Sequence, residues 1–273
     1  RGRKDLENLS IPFIGEIPQY LSAKKKLGFD KHTQSVMKAI VVKEGNRNII
    51  NEAFRVLRSN IDFMAGKDSG QNVFMLTSFN PGSGKSFLAM NIAMSFAIKK
   101  KRILVIDGDL RHGSTSSYVD SPKTGLSDYL GNRVSDWKEI IVKDEKYDNL
   151  HIIPIGTVPP NPTELLEDGK LATLIEVLRS EYDYIFIDCP PIDIVADAQI
   201  IEKLADRTVF VVRSGLLDRS MLPELENIYQ EKRFKNLSVI LNGTESAGGR
   251  YGYRYGYRNG YSSYYGNKGK MGG

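Results

Sequence analysis

Seven residues, Asn80-Pro81-Gly82-Ser83-Gly84-Lys85-Ser86, constrain this chain more than any other stretch. A short apolar run, Val73 to Leu76, precedes them and reads as a buried strand; an apolar periodic segment follows and reads as a helix. Strand, Gly-rich turn, Gly-Lys-Ser and helix together make the setting of a phosphate-binding loop. Gly82 and Gly84 let backbone N–H groups turn inward around phosphate oxygens, and the N-terminus of the next helix adds partial positive charge. Lys85 is placed to reach the β- and γ-phosphates, and the Ser86 hydroxyl to ligate Mg²⁺. Pro81, Gly82, Ser83, Gly84, Lys85, Ser86 and Phe87 then line a nucleotide site. The usual pattern begins with Gly five positions before Gly84, where this chain has Phe79. An ordinary Gly-rich turn is the competing reading, and two acidic motifs downstream weigh against it.

The first is Ile103-Leu104-Val105-Ile106-Asp107-Gly108-Asp109-Leu110-Arg111, and the second is Tyr184-Ile185-Phe186-Ile187-Asp188-Cys189-Pro190-Pro191. Each is an unbroken apolar run ending in Asp, as a buried parallel strand looks. Such strands deliver carboxylates to their C-terminal ends, where ligands sit in open α/β sheets. Asp188 would hold Mg²⁺ directly or through water. Asp107 and Asp109 would hold the metal from the other side or take a proton from an attacking hydroxyl. Arg111 would pair with these carboxylates or neutralise phosphate charge. Thr208–Val212 and Leu237–Leu241, the latter ending at Asn242, read as further strands, with a helix over Ala196–Leu204 before the first and one over Leu222–Tyr229 between them. The repeated βα order predicts an α/β fold, a P-loop-type parallel sheet with helices on both faces.

Upstream, Ile50, Phe54, Leu57, Ile61 and Met64 recur at helical spacing and predict a helix over 48–64. Glu52, Arg55 and Arg58 follow one another at three-residue steps beside that stripe. Spacing alone leaves two readings, a solvated charged face or a subunit contact. Residues 1–47 read as a strap, with Ile11–Pro18 an edge strand at most and Lys24–His32 a polar loop. The folded domain spans 48–244. From 245 to 273 the composition turns to Gly, Tyr, Arg, Ser and Asn, which cannot bury enough surface to fold alone, so this tail is expected to be disordered.

The 273 residues carry a net charge of +5 and a single cysteine, Cys189, which excludes an intrachain disulfide and fits a reducing compartment. Three histidines lie too far apart for metal-ligand spacing. No apolar run approaches the roughly 20 residues that span a bilayer. The chain does not begin with Met and reads as a fragment, which leaves a membrane segment upstream open. Basic residues gather at both ends, which suits an anionic membrane face, a nucleic acid or plain solvation.

Together these motifs resemble the bacterial tyrosine kinases, the BY-kinase family of capsular and exopolysaccharide assembly proteins. SFNPGSGKS matches Walker A, ILVIDGDLR the family's extra Walker A′ motif, and IFIDCPP Walker B. Glu52, Arg55 and Arg58 look like its oligomerisation signature. Tyr251, Tyr253, Tyr255, Tyr257, Tyr261, Tyr264 and Tyr265 look like its phosphoacceptor cluster. The resemblance implies an ATP- and Mg²⁺-dependent kinase that phosphorylates its own tail between neighbours in a homo-oligomeric ring, an octamer by family likeness. It implies a position on the cytoplasmic face of the inner membrane and a transmembrane and periplasmic region, upstream or on a separate adaptor. It also implies a phosphotyrosine phosphatase as partner, and no nucleic acid. By analogy with related ATPases, Asn242 would line the adenine pocket. Phe79 is expected to be tolerated because it lies at the strand exit.

Two other classes share some of these features. A partitioning ATPase of the deviant Walker A class carries Lys where this chain has Asn80, and would leave the tyrosines unexplained. A nucleic-acid-binding protein could stack bases on an Arg/Gly/Tyr tail, but Arg-Gly pairs are few here.

Overall fold

The computed structural model describes residues 2–20, 39–66, 70–193 and 196–245. The seven tail tyrosines and the Lys24–His32 loop lie outside the described residues. Eight strands form one sheet in the order β1-β8-β7-β2-β6-β3-β5-β4. In chain order they are β1 (Phe13–Pro18), β2 (Val73–Thr77), β3 (Ile103–Asp107), β4 (Val142–Lys143), β5 (Leu150–Ile153), β6 (Tyr184–Asp188), β7 (Arg207–Arg213) and β8 (Leu237–Thr244). All pairings are parallel except β4 with β5. The antiparallel pair ends the sheet, preceded by a 3₁₀ turn over Trp137–Ile140.

The helices are α1 (Arg3–Glu7), α2 (Ile49–Ala65), α3 (Lys85–Ala97), α4 (Leu126–Leu130), α5 (Pro162–Glu167), α6 (Lys170–Glu181), α7 (Asp197–Glu202) and α8 (Leu222–Gln230). Central strands β2, β3 and β6 are buried at every position, because apolar layers cover both faces. On one face α2 and α3 cover Phe74, Val105 and Phe186; on the other α6 and α8 cover Met75, Ile106 and Ile187. The residues of Ile11–Pro18 do add an edge strand. β1 pairs with β8, and Gln19 N–H donates to Thr244 O at 2.8 Å, so the strap belongs to the same sheet as the phosphate loop.

Helix α2 starts where Asn48 caps it, accepting from Asn51 N–H at 3.0 Å. Of its predicted stripe, Ile50, Phe54, Leu57 and Ile61 are buried, and Met64 is partly buried against the same cluster. Helix α3 buries Leu88, Ile92 and Ala93, and it buries more than one face. Every residue from Phe87 to Ala97 is buried, because the helix lies between the sheet, α2 and the segment 39–43. Its polar residues are therefore satisfied internally. Asn91, fully buried, accepts from the N–H groups of Val41 (2.8 Å) and Val42 (3.2 Å). Its amide donates to Ala39 O (3.0 Å) and Phe87 O (2.9 Å), so one side chain ties the strap to the helix after the loop.

Asn91→Ala would leave two N–H groups in the interior without acceptors. It is expected to cost about 3 kcal/mol in urea unfolding with the slope of the transition unaltered.

Candidate active site

The site forms where the three central strands end. β6 lies between β2 and β3, with Leu76 opposite Asp188 and Asp107 opposite Asp188 in register. Register partners on adjacent strands point to the same face, so the two carboxylates lie side by side at the mouth of the loop. Asp107 is fully buried and Asp188 nearly so. Ser116 donates to Asp107 Oδ2 through both its N–H (2.7 Å) and its hydroxyl (2.6 Å), while among the described residues Asp107 Oδ1 keeps only a 3.3 Å contact from Asp109 N–H. Asp188 Oδ2 accepts from the Ser86 hydroxyl and from Thr115 Oγ1, the latter at 2.8 Å.

Burial, reinforced by the charge of Asp188, pushes the Asp107 carboxyl up to about 8. Burial likewise raises Asp188, against the opposing pull of the Lys85 ammonium. Lys85 is itself lowered by burial, and its Nζ donates to Ser78 Oγ at 3.0 Å. Two buried carboxyl groups and a serine hydroxyl are hard oxygen donors. That donor set fits Mg²⁺, with Ser86 and Asp188 together on one side and the open Asp107 oxygen on the other.

The loop opens onto a cavity of about 620 Å³ that reaches from Pro81, Lys85 and Phe87 to Asp109, His112 and Pro191. Gly82 and Gly84 adopt φ of +74° and +93°, left-handed values that favour glycine. At Gly84 a side chain is excluded twice over, since a Cβ there would lie 2.2 Å from the Asn242 amide nitrogen. Phe79, at the position of the usual first glycine, is buried edge-on against Phe210 with ring centroids 4.9 Å apart. It serves the core beneath the loop.

Asp109, with its side chain 12% exposed, is the acidic group of the site nearest solvent, and His112 Nδ1 lies 3.2 Å from its Oδ2. Arg111 lines the cavity, but its guanidinium does not pair with the site carboxylates as expected. It binds the buried Asp197 at 3.3 Å and Thr163 Oγ1 at 3.0 Å, because a carboxylate buried at the start of α7 requires a counter-charge. Asn242 approaches the loop backbone, its amide donating to Ser83 O at 2.9 Å. The thiol of Cys189, buried next to Asp188, is pushed well up by desolvation. Sequence reasoning missed Thr115 and Ser116, which follow Asp107 without any recognisable spacing and become partners only when the chain turns back.

Glu52, Arg55 and Arg58 lie on α2, away from this cavity. Glu52 pairs with Arg55, which also reaches Asn46 O, and Arg58 Nη1 donates to Ser95 O at 2.9 Å.

Residues 71–217 match the family described as an AAA domain. Tyrosine-protein kinase YwqD of Bacillus subtilis is 34% identical over 210 residues, covering 76% of this chain and 87% of its own length. The kinase domain of Escherichia coli tyrosine kinase ETK superposes with a TM-score of 0.77 at 28% identity, over 94% of this chain and 99% of that domain. The chain belongs to the bacterial tyrosine-kinase family. It is a catalytic domain of that family, with the protein-tyrosine kinase activity that membership carries, and its P-loop kinase fold implies the use of ATP. The chain spans 33% of a 34%-identical relative from a cps region of Klebsiella pneumoniae, so some relatives are much longer. No helix among the described residues is long and apolar enough to cross a membrane.

The raised Asp107 carboxyl has a consequence for stability. Its value in the unfolded chain is 3.8, so between 3.8 and about 8 the folded state holds a proton that the unfolded state has lost. Stability contributed by this group therefore falls as pH rises through that window. Without nucleotide or metal, Asp107→Asn is expected to melt at least ~4 °C above the native sequence near pH 8.5, the gap closing toward pH 4.

Proposed function

We propose that this chain is an ATP- and Mg²⁺-dependent autokinase that phosphorylates the tail tyrosines of a neighbouring copy and thereby regulates capsular or exopolysaccharide assembly. The observation that carries this reading is the convergence of Lys85, Ser86, Asp107, Asp109 and Asp188 around one glycine loop at the ends of three adjacent strands. A cavity of about 620 Å³ has room for a triphosphate with a phenol beside it.

The loop amides and Lys85 hold the β- and γ-phosphates. Ser86, Asp188 and Asp107 would hold Mg²⁺, whose charge when bound would offset that of the phosphates. A tyrosine Oη attacks the γ-phosphorus as the bond to the β-phosphate oxygen breaks, and ADP leaves. Asp109, nearest solvent, accepts the phenolic proton. No covalent intermediate on the protein is required, because positioning and charge neutralisation suffice for phosphoryl transfer. Arg111, paired with Asp197, braces the wall beside Asp109. Asp197 in turn accepts from Thr163 Oγ1 at 2.7 Å.

Glu52, Arg55 and Arg58 are assigned to the contact between copies in a ring, an octamer by family likeness. Neutral tail tyrosines favour the ring because a neighbour's cavity captures them. Each phosphate adds about −1.5 to −2 charge and favours release, and a phosphotyrosine phosphatase resets the cycle. The domain works at the cytoplasmic face of the inner membrane, attached through an upstream or separate membrane-spanning partner.

Two measurements test this. Incubated with Mg·ATP, the chain should gain phosphate on Tyr251 to Tyr265, and Lys85→Met should lower the signal at least ~100-fold. A native chain that gains no phosphotyrosine overturns the kinase reading. Replacing Glu52, Arg55 and Arg58 together by Ala should reduce the sedimenting mass to that of a monomer, and an unaltered mass overturns their assignment.

A further inference from the structure

The loop's amides can cradle phosphate only if they point inward, and a trans peptide places each N–H opposite the preceding C=O. The carbonyl of Gly82 thus sets the direction of Ser83 N–H, the carbonyl of Ser83 that of Gly84 N–H, and the carbonyl of Gly84 that of Lys85 N–H. All three carbonyls are held from outside the loop. Arg213 Nη1 donates to Gly82 O at 2.7 Å, Asn242 Nδ2 to Ser83 O at 2.9 Å, and Leu88 N–H to Gly84 O at 2.9 Å. The last is an ordinary helix bond. The first two come from a single pair of residues, for Arg213 and Asn242 face each other in register at the ends of β7 and β8. Ser214 N–H closes that end of the ladder on Asn242 O at 2.8 Å.

The surroundings favour this grip. The Arg213 side chain runs over Gly243, where a Cβ would lie 3.7 Å from its Cγ and 3.8 Å from its Nε. Asn242 is nearly buried, and its amide occupies the space a side chain at Gly84 would need. Two flexible glycines flank Ser83, so without these donors the peptides on either side of it are free to rotate.

We infer that Arg213 and Asn242 are paired positioning residues. They lock two consecutive loop carbonyls outward and so orient the Ser83 and Gly84 amides toward the phosphates before nucleotide arrives. The inference rests on the proposed nucleotide site. It assigns a role to Arg213, which no sequence motif marks, and moves Asn242 from contact with the base to support of the loop. Locking the loop in advance lowers the ordering cost of binding, so the loss should appear in nucleotide affinity.

The test is calorimetric titration with Mg·ADP. Arg213→Met is expected to weaken binding about tenfold, the equivalent of one hydrogen bond from a charged donor, and Asn242→Ala several-fold. Arg213→Lys should recover most of the loss, because one N–H to one carbonyl is all the geometry uses. In steady-state kinetics the loss of kcat/KM for ATP should fall on KM. Backbone relaxation of the native chain without nucleotide gives a check independent of any variant. Order parameters at Ser83 and Gly84 should stand near 0.85, as in rigid backbone, whereas values below about 0.6 overturn the inference. Arg213→Met and Asn242→Ala both binding within twofold of the native chain would overturn it while leaving the nucleotide site intact. So would Arg213→Lys binding as weakly as Arg213→Met, which would mean that the guanidinium touches the nucleotide itself. A native chain that does not bind Mg·ADP would overturn the nucleotide reading and this inference together.

Discussion

The structure depends on the parallel pairing of β6 between β2 and β3. That register brings Asp188 beside Asp107 and both to the loop that follows β2. Parallel strands of this kind need both faces covered, which the two apolar layers provide. The same burial that stabilises the sheet makes its two terminal carboxylates costly. Each is raised by desolvation, and only hydroxyl groups, one ammonium and backbone amides offset the cost. A cation is the kind of partner that such desolvated carboxylates favour. The stability of the sheet and the chemistry of the site therefore pull against each other through Asp107 and Asp188.

The strap, α3 and the loop form a second connected unit. Asn91 links residues 39–42 to the helix that follows the loop, and β1 lengthens the sheet beside β8, which carries Asn242. Phe79 and Phe210 pack beneath the turn, so the loop stands on core side chains. Its geometry is consequently set by strands on both sides of β2: β6 supplies the carboxylate that accepts from Ser86, and β7 with β8 supplies the donors that hold its carbonyls.

Much of this was legible in the chain. The apolar runs ending at Asp107 and Asp188 forecast buried strands because a strand covered on both faces has no polar side to show. The 48–64 periodicity forecast α2 because that helix keeps one solvated face. The helix α3 was legible too, but not its full enclosure: a helix enclosed on all sides loses its amphipathic signature, and its few polar residues bond inward. Of the two roles the sequence allowed Arg111, the ion pair with the site carboxylates does not form. The buried Asp197, 86 residues later, claims the guanidinium. Thr115, Ser116 and Arg213 carry no local signal at all.

The sequence by itself determined the α/β class, the phosphate loop, the carboxylates that face it and the family to which the chain belongs. These are properties of short contiguous stretches, in which strand, turn and helix must follow one another for the chemistry to work. Only the tertiary structure decided which groups hold those residues in place. Ser116 on Asp107, Thr115 on Asp188, and Arg213 and Asn242 on the loop carbonyls arise from strand order and register, and each brings together residues that hydrophobic periodicity cannot relate. At Asn80–Ser86 the glycines allow the phosphate-binding turn, and side chains from two neighbouring strands select it among the turns that glycine would permit.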